Sequence, residues 1–268
     1  MGSEASQTGS ILSLVISLIA LAQVWVIEAW KKFRKPVVEL YEAPMLEIGY
    51  GQMGPSICIL GKMRVLHKDI FVTNIKLKLM RKMDQSIHHF NWLLFKSNII
   101  YIDSKQKPPV ELATSFLLSP NNPFNFHVFF ADDKMRNDAS SIANKMVETY
   151  RELKAQRTKD ILDMTGVDTD KILSHPLFNE AVYEEFRRTK PHIEACMALD
   201  RAFYWDPGDY ELTIIVETST PGVRVEKKKR FTISPEESEQ LRLNVLFIIR
   251  ELCDFKEKYH LAHPRYHV

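Results

Sequence analysis

The first clear pattern along the chain is a long apolar run near its start. No residue is charged between Ala5 and Ile27. The run also lacks the polar stripe at 3.6-residue spacing that a surface helix needs. A helix rises about 1.5 Å per residue, so roughly 20 residues cross a hydrocarbon core of about 30 Å. The pattern predicts an N-terminal tail over residues 1–10 and a transmembrane helix over residues 11–30.

The residues around this segment predict that it is retained as a membrane anchor. A cleaved signal peptide and a buried core helix are the alternatives, but no Lys or Arg precedes Lys31, as a signal peptide requires. Basic residues follow the segment in a linker over 31–36, and positive charge stays on the cytoplasmic side. We therefore expect a single-pass inner-membrane protein with its N-terminus outside and its C-terminal domain in the cytoplasm. An inverted topology, with a periplasmic or extracellular domain, is the alternative.

Three sets of residues carry these predictions. The membrane-anchor residues are Ile11, Leu14, Leu18, Leu21, Trp25 and Trp30. The juxtamembrane basic residues, expected to meet anionic headgroups of the lipid membrane, are Lys31, Lys32, Arg34 and Lys35. Small residues at four-residue spacing allow two membrane helices to approach closely, and they predict helix self-association through Gly9, Ser13 and Ser17.

Alternation of apolar and polar residues predicts strands from Pro36 to about Ala131. Ile75, Leu77 and Leu79 alternate with polar neighbours, which is the period of a strand with one solvated face. The stretch His88–Phe95 places His88, Phe90, Trp92 and Leu94 on one face. Strands return over Tyr210–Thr218 and Val223–Ile233, so the β region covers residues 37–131 and 203–233.

The period changes to that of helices between these two β regions. Ile142, Met146, Tyr150 and Leu153 have helical spacing, and Asp168 or Thr169 begins a second helix. Pro176 suits the first position of a further helix. These signals predict a helical insertion over residues 132–202.

The C-terminal region begins with a helix signal of its own. Ser234 and Glu237 form a capping box, and Leu241, Val245, Ile248, Ile249 and Leu252 follow as an apolar stripe. They predict a C-terminal helix over residues 234–260. The remaining tail, residues 261–268, is expected to be loosely ordered.

The stretch WDPGDYELTI, Trp205–Ile214, resembles the tyrosine corner of immunoglobulin-like sandwiches, in which a phenol ties a strand to the preceding turn. The resemblance is architectural, because Leu212 stands where the second cysteine of an immunoglobulin domain would be. Together with six to eight short strands, it implies a mainly β fold with helical additions: a single transmembrane helix, an immunoglobulin-like antiparallel β-sandwich interrupted by a helical insertion, and a C-terminal helix.

Composition and charge exclude several functional classes. The chain has 268 residues and a net charge of +2, which gives no overall field favouring nucleic acid. Its three cysteines lack CxxC spacing, which argues against a disulfide framework and a zinc site and fits a reducing compartment. The basic run Glu226–Arg230 lies on a predicted strand, where lysines protect a sheet edge from pairing. No nucleic-acid partner, metal or cofactor is expected.

Recognisable catalytic motifs are absent from the sequence: it contains no GxSxG, Walker A, GxGxxG or HExxH. His88 is interpreted as a packing residue, because it shares a strand face with aromatic residues. His127 is a candidate metal ligand beside Asp132 and Asp133, although these two aspartates are better explained as the start of a helix.

Two functional hypotheses follow. The first is a membrane-anchored, non-enzymatic interaction or sensing module that docks a protein partner or another copy through the helical insertion or the sheet edge. The second is a membrane-bound, hydrolase-like enzyme whose site is assembled from distant residues. Its candidate residues are His127, Asp132, His175 and Asp206.

Overall fold

Eleven strands and six helices make up the part of the chain that the structure describes. This computed structural model describes the backbone of residues 4–52, 54–96, 110–166 and 168–267, with side chains for these residues except 4–15, 28, 31–32, 96, 110 and 133–143. The strands are β1 (Val37–Glu42), β2 (Glu47–Gly51), β3 (Gly54–Leu66), β4 (Ile70–Arg81), β5 (Ile87–Lys96), β6 (Val110–Leu112), β7 (Phe116–Leu118), β8 (Phe124–Ala131), β9 (Gly208–Thr218), β10 (Arg224–Ile233) and β11 (Leu261–Ala262). The helices are α1 (Glu4–Phe33), α2 (Asp133–Thr165), α3 (Thr169–Ser174), α4 (Pro176–Phe186), α5 (Lys190–Arg201) and α6 (Pro235–Leu252).

The strands form one continuous sheet, so the predicted immunoglobulin-like β-sandwich is wrong. The order is β10-β9-β4-β5-β8-β3-β2-β11, while β1 pairs with β3, β6 with β5 and β7 with β4. A sandwich needs two separate sheets, but β5 joins the strands on the β4 side to those on the β8 side in a single sheet. Its residues Ile87–Asn91 pair with β4 and its residues Asn91–Phe95 pair with β8. The result is a half-barrel of antiparallel strands.

A bulge within β5 changes which side chains face the interior. The register with β8 shifts between Trp92 and Leu94, so the strict alternation predicted for this strand ends there. After the bulge, Phe95 packs beside Trp92 in place of the predicted Leu94. The ring centroids of Phe95 and Trp92 lie 4.6 Å apart. His88, Phe90 and Trp92 keep the predicted face before the bulge, where Phe90 and Trp92 are buried.

The curled sheet brings its first strand close to β10, and side chains close the gap. The Lys227 Nζ donates hydrogen bonds to the Leu40 carbonyl oxygen at 2.7 Å and to the Glu42 carboxylate at 2.6 Å. We call this region of β1 and β10 the seam. The Glu42 side chain is only 2% exposed there.

The C-terminal tail is ordered, contrary to expectation. The strand β11 pairs with β2, and the Leu46 amide donates to the Pro264 carbonyl oxygen at 3.2 Å. The His267 amide donates to the Arg230 carbonyl oxygen on β10 at 2.8 Å. The tail therefore runs as a strap from the β2 edge to the β10 edge.

The helices between β8 and β9 cover the sheet together with α6. The caps follow the sequence signals: the Asp168 side chain accepts from Asp170, Pro176 begins α4, and Ser234 and Glu237 complete the capping box of α6. Apolar residues of α2, α4, α5 and α6 join the sheet residues in one core. These buried helical residues are Met146, Tyr150, Val182, Tyr183, Phe186, Ala195, Leu199, Leu241, Val245, Ile248 and Ile249.

The predicted transmembrane helix is contradicted. Among the described residues, no helix is long and apolar enough to cross a membrane. The predicted single-pass inner-membrane topology, with its N-terminus outside and its C-terminal domain in the cytoplasm, is contradicted by the same finding.

Candidate functional site

The segment after α5, residues 203–206, is held against the sheet and positions a group of polar side chains. Phe203, Tyr204 and Trp205 are buried directly after α5 ends. The Trp205 Nε1 donates to the Gly49 carbonyl oxygen on β2 at 2.8 Å, and the Trp205 ring lies 6.1 Å from that of Phe90. A buried tryptophan with a satisfied N–H fixes the segment against the sheet. It thereby places Tyr204 and Asp206 at the end of β4.

Tyr210 makes the tie that the tyrosine-corner resemblance implied. Its hydroxyl donates to the Asp206 carbonyl oxygen at 2.7 Å and lies 3.2 Å from the Tyr204 carbonyl oxygen. Burial raises the pKa of Tyr210, so its hydroxyl stays protonated and able to donate. The motif is a local device, and it persists here in a fold that is not a sandwich.

Ion pairs connect this segment to both the sheet and the helices. Arg81 on β4 pairs with Asp84 and Asp206, and Arg81 holds the pKa of Asp84 well below its usual range. Arg242 on α6 contacts Asp206 at 3.0 Å and Asp200 at 2.5 Å. The carboxylates of Asp84, Asp200 and Asp206 therefore each contact a guanidinium already. The arrangement is therefore a positioning network for the helices.

His88 has a more specific environment than a packing residue needs. Its Nδ1 lies 3.3 Å from the Asp132 carboxylate, and its ring centroid lies 3.8 Å from that of Tyr204. The exposed fraction is 22% for the His88 side chain and 10% for that of Asp132. A carboxylate at Nδ1 fixes the orientation of the imidazole, which is the arrangement found in general bases. The sequence pattern missed this pair, because its members are 44 residues apart.

The structure does not bring the other three candidate catalytic residues to this pair. Asp206 is held by the two arginines, and His175 precedes α4 as an exposed residue. His127 lies on β8 opposite Leu60, five residues before Asp132, which is roughly 17 Å along a strand. Within the part of the chain that is described, no three His, Cys, Asp or Glu side chains are grouped to hold a metal ion.

An apolar surface lies on the outer side of α5 and α6. Its four central residues are each close to half exposed: Ile193 at 49%, Met197 at 50%, Leu243 at 45% and Leu246 at 44%. We call these four residues the α5–α6 face. A groove of about 460 Å³ runs between the helices over Cys196 and Val245, with Asp200, Glu239 and Arg242 among its lining residues.

The two helices form this surface because each has apolar residues on two sides. On α5, Ala195 and Leu199 point inward while Ile193 and Met197 lie outside. On α6, the predicted stripe is buried apart from the partly buried Leu252, and Leu243 and Leu246 lie outside it. Apolar residues opposite the buried stripe of an amphipathic helix were the sequence signal that could have revealed this surface.

A second group that sequence reasoning missed is built from His192, Cys196 and Tyr183. The Cys196 Sγ lies 3.7 Å from the His192 Nδ1, and the Tyr183 hydroxyl lies 3.5 Å from the His192 Nε2. Burial raises the pKa of the Cys196 thiol and lowers the pKa of His192. Both groups are therefore neutral near pH 7, and the thiol lacks the activation that a nucleophilic cysteine needs.

The basic strand β10 lies at an end of the sheet, as the interpretation of its lysines required. Its charges are matched by carboxylates. Lys227 contacts Glu42, Lys228 lies 3.6 Å from Glu211, and Arg230 lies 3.3 Å from the same carboxylate. The strap also covers one carbonyl of this edge, through His267. No unmatched basic groove is formed by these residues.

The residues predicted on the first helix are placed only in part. Leu18, Leu21, Trp25 and Trp30 are exposed on α1, and Ser17 is exposed as well. The Arg34 guanidinium stacks 3.7 Å from the Trp30 ring centroid. Six further predicted residues also lie in α1, but the structure describes only their backbone: Gly9, Ile11, Ser13, Leu14, Lys31 and Lys32.

Comparisons with known proteins give no relative on which to base a function: no protein-family model, curated protein or solved structure matches this chain.

Proposed function

We propose that this chain is a non-enzymatic protein-interaction module that docks a protein partner through the α5–α6 face. The observation that carries the proposal is the presence of four large apolar side chains, Ile193, Met197, Leu243 and Leu246, side by side and close to half exposed. A contiguous apolar patch with a charged rim is typical of a protein-binding site. Methionine adds a flexible, polarizable contact that adapts to a partner.

The support structure of the face also fits docking. The inner sides of α5 and α6 pack into the core, and Arg242 bridges the two helices through Asp200. Because these helices are held by buried contacts, little order would have to be created when a partner binds. The alternative docking surface, the β10 edge, has its lysines matched by carboxylates and offers less to a partner.

Site-specific photocrosslinking tests this function. A photoreactive amino acid at Met197, in cells that naturally make the protein, should yield one discrete crosslinked protein, identified by mass spectrometry. The same amino acid at Met164, an 84% exposed methionine on α2, is the matched control and should yield none. Leu243→Glu should abolish the product at Met197. A Met197 position that gives no product, or the same products as Met164, would contradict the proposal.

The second candidate is a hydrolase-like enzyme, and the His88–Asp132 pair is the observation that favours it. In this proposal His88 acts as a general base and Asp132 orients its ring. Chromogenic esters are the probe. His88→Gln should abolish any turnover, and His89→Gln, which changes the exposed neighbour on the opposite strand face, should leave it unchanged. Equal turnover in the two variants would dismiss this candidate.

A further inference from the structure

The outer stripe of α5 is complementary to itself when its direction is reversed. The residues Lys190, Ile193, Met197 and Asp200 follow each other at helical spacing. The two apolar residues lie in the middle, and the ends carry opposite charges. Reversal about Ala195 places position 190 opposite position 200 and position 193 opposite position 197. A second α5 running antiparallel would thus set Lys190 against Asp200 and Ile193 against Met197.

The charged ends of the stripe are accessible for such a contact. The Lys190 side chain is 84% exposed, and its nearest carboxylate, Glu194, is 3.6 Å away on the same helix. The Asp200 side chain is 52% exposed and contacts Arg242 from one side only. Opposite charges that meet across an interface fix its register and suppress other registers.

Leu243 and Leu246 extend the apolar centre of the stripe to the neighbouring helix. Leu246 lines the same groove as Cys196 and Met197, so it lies level with the centre of the α5 stripe. Two copies placed face to face would therefore contribute two helices each to a four-helix core. Helices packed in this way approach to about 8–10 Å and bury residues from both members of each pair.

We propose that the α5–α6 face is occupied by a second copy of this chain, in a twofold-symmetric pairing that runs the two α5 helices antiparallel. This inference rests on the proposed interaction function and names the partner of the same surface. In a twofold interface each contact occurs twice, so Lys190 of each copy faces Asp200 of the other. The apolar patch is then buried, and both copies use identical residues.

Charge reversal gives a test that only a contact between two copies of the chain can pass. Lys190→Asp and Asp200→Lys should each weaken the dimer of the full chain at least tenfold in sedimentation equilibrium, because each creates two like-charge pairs. An equimolar mixture of the two variants should restore the wild-type dissociation constant, since both pairs in the mixed dimer are again opposite in charge. Lys171→Asp, on the exposed surface of α3, is the control and should change nothing.

Three further measurements keep the test decisive. Circular dichroism melting checks that each variant is folded, and Asp200→Asn, which removes the charge without reversing it, should give an intermediate dissociation constant. Met197→Glu should give monomers. A wild-type chain that stays monomeric throughout the micromolar range overturns the proposal, and so does a dimer that neither reversal weakens or that the mixture fails to restore.

The outcome also separates this inference from the proposed function. A monomeric chain that still crosslinks one different protein at Met197 loses the second copy as partner but keeps the interaction role. A monomeric chain with no crosslinked product at Met197 loses both.

Discussion

The β10 edge and the α5–α6 face are built in opposite ways. On β10, basic side chains find carboxylates on neighbouring strands, and the strap occupies a backbone carbonyl. On α5 and α6, charges lie at the rim and four apolar side chains remain about half exposed. A sheet edge needs protection from unwanted pairing. Burying an exposed apolar helix face against a partner, in contrast, lowers the free energy of the complex.

The comparison teaches that residue type alone does not identify a docking surface. Lysines on an edge strand suggest an acidic partner until their intramolecular carboxylates are known. Apolar residues on a helix suggest a core until their exposure is known. Four changes test the contrast, beginning with the one that should affect stability most.

Removing Glu42 should damage the β10 side severely. Glu42→Ala leaves the Lys227 ammonium without its carboxylate at the seam, where the Glu42 side chain is 2% exposed. Breaking a buried ion pair costs about 3–5 kcal/mol, and the partial exposure of Lys227 reduces this to about 2 kcal/mol. Urea unfolding measures the loss. The control is Glu39→Ala on the same strand, whose exposed pair with Arg64 is screened by solvent and should contribute much less. Equal losses would mean that the seam is not specially stabilised.

Removing the Tyr210 hydroxyl should weaken the connection between the two regions. Tyr210→Phe deletes the donor to the Asp206 carbonyl oxygen and leaves that partly buried acceptor without this bond. We expect the free energy of unfolding to fall by about 1–2 kcal/mol. Tyr41→Phe, which removes an exposed hydroxyl that bonds to Glu39, is the matched control and should cost less. If both variants melt at the wild-type temperature, the corner is not a stabilising tie.

Acidification should destabilise the helical side through His192. Burial lowers the pKa of His192 in the folded state, so the unfolded chain binds this proton more readily. The free energy of unfolding should therefore fall as the pH drops below about 6.5, the ordinary histidine value. Urea unfolding at about pH 7 and about pH 5 should show a smaller loss in His192→Gln than in the wild type. An identical loss in both proteins would show that other groups dominate.

Adding charge to the α5–α6 face should barely change stability. Met197→Glu and Leu243→Glu replace side chains that are about half exposed, so the free energy of unfolding should change by no more than about 0.5 kcal/mol. The same substitutions should abolish association. Lost association with an unchanged free energy of unfolding is expected of a docking surface and not of residues buried in the core. A loss of several kcal/mol on unfolding would place these residues in the core instead.

Local signals in the sequence predicted the elements well. The capping box at Ser234 and the helix start at Pro176 are confirmed, and of the two candidate caps Asp168 and Thr169 the structure uses Asp168; each signal depends on residues within one turn. The tie from Tyr210 to Asp206 is present for the same reason. Such motifs satisfy backbone groups locally and need no information about the rest of the fold.

The arrangement of the elements could not be predicted in the same way. Whether strands form two sheets or one depends on how β5 divides its pairing between β4 and β8, and alternation within a strand does not contain that information. The bulge beside Leu93 further broke the alternation on which the face of Leu94 was predicted. The membrane-spanning prediction relied on the length of one apolar run and on the basic residues that follow it, and it was wrong for the described residues.

The candidate site was the least predictable part. His88 and Asp132 meet only because β5 and β8 are neighbours in the sheet. The α5–α6 face needs two helices from opposite sides of the β9–β10 hairpin to lie together. Both features combine residues far apart in sequence, which is why spacing motifs did not reveal them.

The strap has a consequence for how the protein is made. Leu261 and Ala262 pair with Gly49 and Ile48, and His267 bonds to Arg230, so the strap completes a sheet whose β2 strand emerged more than 200 residues earlier. Contacts of such long sequence separation form late. During translation the β2 edge is therefore open, and it stays open until the strap has been synthesised and can fold back onto it. Emergence of the strap, rather than the folding of any one strand, sets the moment at which this sheet can close.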